Sequence, residues 1–167
     1  FRAKIEISYE KNILGTAGTL NANQNFIDED TFIVHADNYC EDDLNEFVAK
    51  HNNRPARCSA SLLTFLTNDP KNCGIVKTDA EKVLIEFYEK DKRNRGNIAS
   101  GALFLVTKKW KKELEYLFPN SFDLSVDLVP YMRNKLFCYL TKKIYIDVGT
   151  PRNLHLARNL ATTKVSY

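Results

Sequence analysis

The sequence predicts an α/β fold: a mixed, mostly parallel sheet flanked by helices, with a small antiparallel strand patch. Three observations carry this reading. Short apolar runs with strand character are followed by segments whose apolar residues recur at helical spacing, as at 31–36 and then 44–51. A strand-rich block with turn signals, residues 58–106, supplies the antiparallel part. The chain has 167 residues, 44% hydrophobic and 27% charged, which is the size and make-up of one globular domain.

Each element has a local cause. Ala3 to Tyr9 alternates, with Ile5, Ile7 and Tyr9 on one face and Lys4, Glu6 and Ser8 on the other, as in a half-exposed edge strand. A turn with Gly15 and Gly18 leads into a helix through Leu20 to Phe26. Thr31 to Ala36 has polar residues only at its ends, which predicts a buried, parallel strand. Leu44, Phe47, Val48 and His51 repeat at i, i+3, i+4, i+7, and Asp43 with Glu46 resembles a capping box. Cys58 to Leu66 is a strand, and Gly74 to Lys77 with Val83 to Tyr88 forms a hairpin turning near Asp79. Glu89 to Gly96 is charged and apolar-free, so a mobile loop is expected. Ile98 to Val106 returns to strand, where Ser100-Gly101-Ala102 lets another backbone or a ligand come close. Trp110, Leu114 and Leu117 mark a helix ended by Pro119, and a second helical segment covers Asp123 to Met132. Leu136 to Leu140 and Ile144 to Ile146 are strands, and a last helix turns Leu154, Ala157, Leu160 and Ala161 inward.

Composition excludes several roles. A net charge of +3 is too small to argue for a nucleic-acid partner, and the run Lys108 to Lys112 reads as a solvated helix face. No apolar run approaches the roughly 20 residues that span a bilayer, so no membrane partner is expected. Cys40, Cys58, Cys73 and Cys138 show no paired spacing, which predicts a reduced, cytoplasmic chain without zinc or disulfides. Phe1 opens the sequence on a strand without a methionine, so it reads as a fragment. An edge strand and the aromatics Tyr131 and Phe137, expected exposed, would permit a homodimer.

The chemistry concentrates at two strand ends. Tyr145-Ile146-Asp147-Val148-Gly149-Thr150-Pro151 is a strand, an acid, a tight turn and a helix with Thr at the N-cap and Pro at N1. Asp37 ends the run 31–36 in the same way. Singly, each acid also reads as a cap or turn residue. Together they suit one divalent cation, since magnesium takes a few carboxylates plus substrate phosphates and keeps several waters. Gly15-Thr16-Ala17-Gly18 fits neither the dinucleotide nor the ATPase spacing; it reads equally as close helix packing or as a surface that a base or phosphate approaches. His35 reads as a core residue, and no Ser-His-Asp or Cys-His set stands out.

Taken in order, Tyr9-Glu10, Leu14-Gly15-Thr16-Ala17-Gly18, the strand to Asp37, Gly74-Ile75-Val76, Phe87-Tyr88-Glu89-Lys90, Ser100-Gly101, Phe122-Asp123 and Tyr145 to Pro151 resemble the sugar-phosphate nucleotidyltransferases, in particular mannose-1-phosphate guanylyltransferase-like members. The resemblance covers almost the whole chain and implies a Rossmann-like domain over 1–167 that lacks its N-terminal glycine-rich loop portion. It implies that Leu14, Gly15 and Thr16 meet the nucleotide, and that Asp37 and Asp147 bind Mg2+ shared with its phosphates. Gly74, Glu89 and Ser100 would line the sugar pocket, and Lys90 would contact the sugar phosphate. The implied partners are a nucleoside triphosphate, by resemblance GTP, and a mannose- or heptose-like sugar 1-phosphate. Three departures stand out: Ala36 precedes the first acid where Gly or Ser is usual, Ser100 stands where Asn is usual, and no glycine-rich loop with Arg is present. The last implies that residues 1–167 alone are inactive. Thymidylyl or uridylyl transfer to glucose 1-phosphate and a non-catalytic sugar-nucleotide-binding domain remain alternatives. Asn38 and Tyr39 after Asp37 argue against a glycosyltransferase, which places two acids one residue apart.

Overall fold

The computed structural model describes residues 4–27, 29–117 and 120–164. Its spine is β6 (Ile98–Val106). One edge of β6 pairs antiparallel with β3 (Ala60–Leu66), and the far edge of β3 runs parallel to β7 (Leu136–Leu140). Two strands share the other edge of β6. β1 (Thr31–Val34) lies against Leu103–Val106, and β4 (Gly74–Thr78) meets it at Ala99. β5 (Leu84–Glu89) completes a hairpin with β4. A separate antiparallel pair joins β2 (Asn38–Cys40) to β8 (Tyr145–Asp147).

β3 and β6 are apolar almost throughout because both faces of the sheet are covered. Leu62, Phe104 and Cys138 face one way, with Ala17 of α1 (Gly15–Ala22), Trp110 and Leu114 of α3 (Lys108–Leu117), and Leu124 and Leu128. Leu63, Leu103 and Leu105 face the other, with Phe47 of α2 (Leu44–Asn52) and Tyr145 of β8. α2 starts where Asp43 accepts the Asn45 N–H at 2.9 Å, the expected N-cap. Lys108 to Lys112 starts α3, with Trp110 turned inward and the lysines outward, and α4 (Pro151–Lys164) follows β8 after a three-residue turn.

The mixed α/β class, the hairpin and the helices 44–52, 108–117 and 151–164 agree with the sequence reading. The expectation of a mostly parallel sheet needs correcting. Among the described residues β3–β7 is the one parallel ladder, and β1 is antiparallel and only half-buried. Residues 4–9 form no strand: Ile5, Ile7 and Tyr9 are 83%, 91% and 88% exposed, with no neighbouring strand to pair with. The first helix begins at Gly15 and closes in a 3-10 turn, Gln24–Phe26. The segment after Asp123 is a π turn, Leu124–Leu128, running into a 3-10 turn, Val129–Met132. Loop 90–96 is held by Asp91, which takes hydrogen bonds from Arg93 and Arg95 and is thereby kept well below the usual carboxylate range. Among the described side chains of α4 only Ala157 is buried; Leu154 and Ala161 are exposed. Phe137 is buried beside Cys58 and Val83, which leaves Tyr131 as the exposed aromatic of the two. Pro119 lies outside the described residues.

Candidate active site

β6 breaks its own ladder at the site. Opposite β3 the register jumps between Leu63↔Leu103 and Thr64↔Ser100, so Gly101 and Ala102 bulge out of the pairing. Ala102 takes a positive φ of 49°, and its N–H bonds the Ser100 hydroxyl oxygen at 3.2 Å. The bulge also falls between the two strands that share this edge, since β1 ends opposite Leu103 and β4 starts opposite Ala99. Among the described residues no strand pairs with Ser100–Ala102 on this edge.

The β2–β8 pair abuts this stretch, to which Asn38 and Tyr145 are hydrogen-bonded. Asn38 sits opposite Asp147, and the Val148 N–H donates to the Asp37 carbonyl at 2.8 Å. Asp37 occupies the turn between β1 and β2, and Asp147 ends β8. Gly149 marks where their side chains meet. A Cβ built there would stand 2.9 Å from Asp147 Oδ1 and 4.0 Å from Asp37 Oδ2. The Gly149 N–H already donates to Asp147 Oδ1 at 2.7 Å, and Asn153 Nδ2 caps the Asp147 carbonyl at 2.8 Å. Two acids far apart in sequence are therefore brought to one place by a three-residue strand pair.

The residues expected around a sugar stand on the hairpin beside the bulge. Gly74 pairs with Glu89, and a Cβ at Gly74 would come within 2.7 Å of Glu89 Oε2, so glycine leaves that carboxylate room. Burial pushes the Glu89 pKa up; Lys90 opposes this and Asp123 adds to it. Lys90 Nζ lies 3.8 Å from Glu89 Oε1, on a backbone with φ of 47° whose N–H bonds the Cys73 carbonyl. The half-buried Cys73 thiol is raised by burial, and the charges of Asp147 and Glu89 also act on it. The Thr67 hydroxyl, 3.6 Å from the Cys73 sulfur, acts the other way.

Leu14, Gly15 and Thr16 are anchored from the opposite side. A Cβ at Gly15, whose φ is 73°, would fall 2.3 Å from the Phe122 carbonyl oxygen, so no larger residue fits. The Ala17 N–H donates to that carbonyl at 3.0 Å, and the Leu124 N–H donates to Thr16 Oγ1 at 2.8 Å. A cleft of about 350 Å³ opens between Gly15, Thr16 and Glu10 on one side and Ile33, Val34 and His35 on the other. Among the described residues no three His, Cys, Asp or Glu side chains gather as a metal cage. The donor set of two carboxylates suits magnesium, which relies on waters and substrate phosphates for the rest of its shell, and does not suit zinc.

Sequence reasoning missed two participants. Asn38 Nδ2 and the Tyr145 hydroxyl both donate to the Gly101 carbonyl, Asn38 at 3.5 Å. Burial pushes the Tyr145 phenol up, with Cys40, Asp147 and Asp37 adding to the shift, so it stays a donor. Tyr145 and Gly101 stand out in the sequence separately, but their contact follows only from the β2–β8 pairing.

Fold and site together define an α/β protein with two carboxylates brought together beside Gly149 and a cleft bordered by a glycine-led helix. Residues 1–164 match the nucleotidyl transferase family, and the chain belongs to that family. A Sulfolobus acidocaldarius protein assigned by name as a mannose-1-phosphate guanyltransferase is 28% identical over 164 residues, covering 95% of this chain and 43% of that protein. A glucose-1-phosphate adenylyltransferase of Fervidobacterium nodosum is 29% identical over 161 residues, covering 86% of this chain and 38% of that protein. The chain thus spans about two fifths of the length of these curated relatives. The crystal structure of HddC from Yersinia pseudotuberculosis superposes with a TM-score of 0.79 at 20% identity, over 96% of this chain and 68% of that one. That likeness shows the fold.

Proposed function

We propose that the protein transfers a nucleotidyl group from a nucleoside triphosphate to a sugar 1-phosphate, giving a nucleotide sugar and pyrophosphate. The convergence of Asp37 and Asp147 beside Gly149, at the mouth of the β6 bulge, is the observation that carries this reading. An oxygen of the sugar phosphate attacks the α-phosphorus, a new P–O bond forms, and the bond to the β-phosphate oxygen breaks as pyrophosphate leaves. No covalent intermediate with the protein is needed, so alignment and charge neutralisation carry the rate.

Asp37 and Asp147 would hold Mg2+, which when bound neutralises charge on the nucleotide phosphates. Leu14, Gly15 and Thr16 border the cleft that takes the nucleotide, with Gly15 and Thr16 lining it directly. Gly74 and Glu89 take the sugar, the carboxylate accepting hydrogens from its hydroxyls. Ser100, whose hydroxyl oxygen is fixed by the Ala102 N–H, borders the same space, and Lys90 meets the sugar phosphate. GTP with a mannose- or heptose-like sugar is the preferred pair, supported by the order of the matching segments and by the Sulfolobus acidocaldarius relative. Adenylyl transfer to glucose 1-phosphate is the second reading, favoured by the Fervidobacterium nodosum relative. Among the described residues no helix is long and apolar enough to cross a membrane, and we place the reaction in the cytoplasm.

The test is pyrophosphate release by the protein of the complete reading frame, with each nucleoside triphosphate paired with each sugar 1-phosphate. Asp37→Asn and Asp147→Asn are each expected to lower kcat by at least about 100-fold, on the scale of losing an electrostatic contact in the transition state. Turnover within a few-fold of wild type in both variants would remove the two aspartates from the reaction, and no turnover by the wild type with any pair would return the protein to a non-catalytic sugar-nucleotide-binding role. Residues 1–167 alone are expected to give no turnover, since the resemblance places the basic triphosphate contacts outside them.

A further inference from the structure

The carbonyl of Gly101 is a shared anchor. It protrudes from β6 at the bulge, where the ladder to β3 is interrupted, and it accepts from two side chains. Asn38 directly follows Asp37, and Tyr145 lies two positions before Asp147. Each acid therefore has a neighbour that ties its segment to the same backbone atom. Tyr145 is buried at 8% exposure, and its ring lies against Phe65 at 5.0 Å between centroids. A Cβ on Gly101 would stand 3.0 Å from the Tyr145 ring, so the anchor closes only over glycine.

We propose that Tyr145, seconded by Asn38, is a positioning residue that sets the separation of Asp37 and Asp147. Both donors are directed at the Gly101 carbonyl. They fix β2 and β8 against the rigid sheet, so the carboxylates keep one spacing instead of drifting with a short two-stranded ribbon, which is weak by itself. Groups that orient metal ligands from behind in this way are worth about 10- to 100-fold in metal affinity. The proposal rests on the metal-binding reading of the two aspartates, and the experiment separates the two.

Mn2+ alone is titrated against the protein and free Mn2+ is followed by electron paramagnetic resonance; the thermal midpoint of the metal-free protein is measured alongside. Tyr145→Phe keeps the ring against Phe65 and removes only the donor. It is expected to weaken Mn2+ binding about 10-fold, while the loss of one hydrogen bond moves the midpoint by only a few degrees. Asp37→Asn and Asp147→Asn should abolish binding. If they do and Tyr145→Phe binds within two-fold of wild type, the positioning role is overturned and the metal reading stands. If the aspartate variants bind as well as wild type, or wild type does not bind, both fall. Should Tyr145→Phe fail to fold, Asn38→Ala carries the same comparison: weaker binding supports the role, and unchanged binding overturns it.

Discussion

Glu89 shows how one residue's surroundings set its chemistry. In the sugar-binding role proposed for it, its carboxylate accepts from hydroxyls best when ionised, yet burial raises its pKa, with Lys90 pulling the other way and Asp123 adding to the rise. Acidification should therefore protonate Glu89 before an ordinary surface glutamate titrates. KM for the sugar phosphate is expected to climb in that window while the nucleotide KM holds steady. Glu89→Gln should raise the sugar-phosphate KM at neutral pH and flatten its pH dependence. A steady-state series against pH for both substrates checks this. A dependence that survives in Glu89→Gln would assign the titration to another group.

Among the elements, β6 decides most. Gly101 has Leu63 Cδ2 at 2.9 Å, the Leu63 carbonyl at 3.0 Å and the Tyr145 ring at 3.0 Å from where a Cβ would stand. Because one of these is backbone, Gly101→Ala is expected to cost about 1–3 kcal/mol of stability, as overpacking does. Urea unfolding measures it, and an unchanged midpoint would show that the bulge yields freely. β6 also shows why some of the architecture was legible in the sequence and some was not. Its span could be read residue for residue, and Gly101 already marked a close approach. Direction could not. A continuous apolar run reports two covered faces, not a parallel neighbour, and β6 is covered on both while its ladders are antiparallel. Residues 4–9 failed for the opposite reason. Alternation describes what a strand would need, but pairing supplies the hydrogen bonds, and among the described residues no partner strand lies alongside. At the site, Asp37 and Asp147 were readable as strand-end acids because Thr150 and Pro151 force the turn behind one of them. Asn38 carried no such signal, since its role depends on a register that only the folded sheet defines.

At the scale of the molecule, stability should depend on one buried imidazole. His51 is fully buried on α2, with Nδ1 sharing a hydrogen bond with Ser61 Oγ at 2.8 Å and Nε2 without a hydrogen-bond partner among the described residues; the Asp30 carboxylate is 3.7 Å from Nε2. Burial lowers its pKa to about 4, with Arg54 adding to the shift and Asp30 opposing it. The unfolded chain then takes up a proton near pH 6.5 that the folded chain refuses until about pH 4. The contribution is complete above pH 6.5 and is lost as pH falls through that interval, amounting to roughly 3 kcal/mol. Thermal midpoints should decline across it, and His51→Asn, which keeps a polar contact for Ser61, should flatten the decline. An equally steep decline in that variant would place the effect on the carboxylates.

The ribbon joining Asn38 to Asp147 links positions from opposite ends of the sequence. Closing so long a loop is entropically expensive and is repaid only once the intervening sheet exists. Asp37 and Asp147 are thus expected to come together last along the folding route. A chain still emerging from the ribosome, or one partly melted, holds its two carboxylates apart, so the cation site proposed for them would exist only after the rest of the domain has formed.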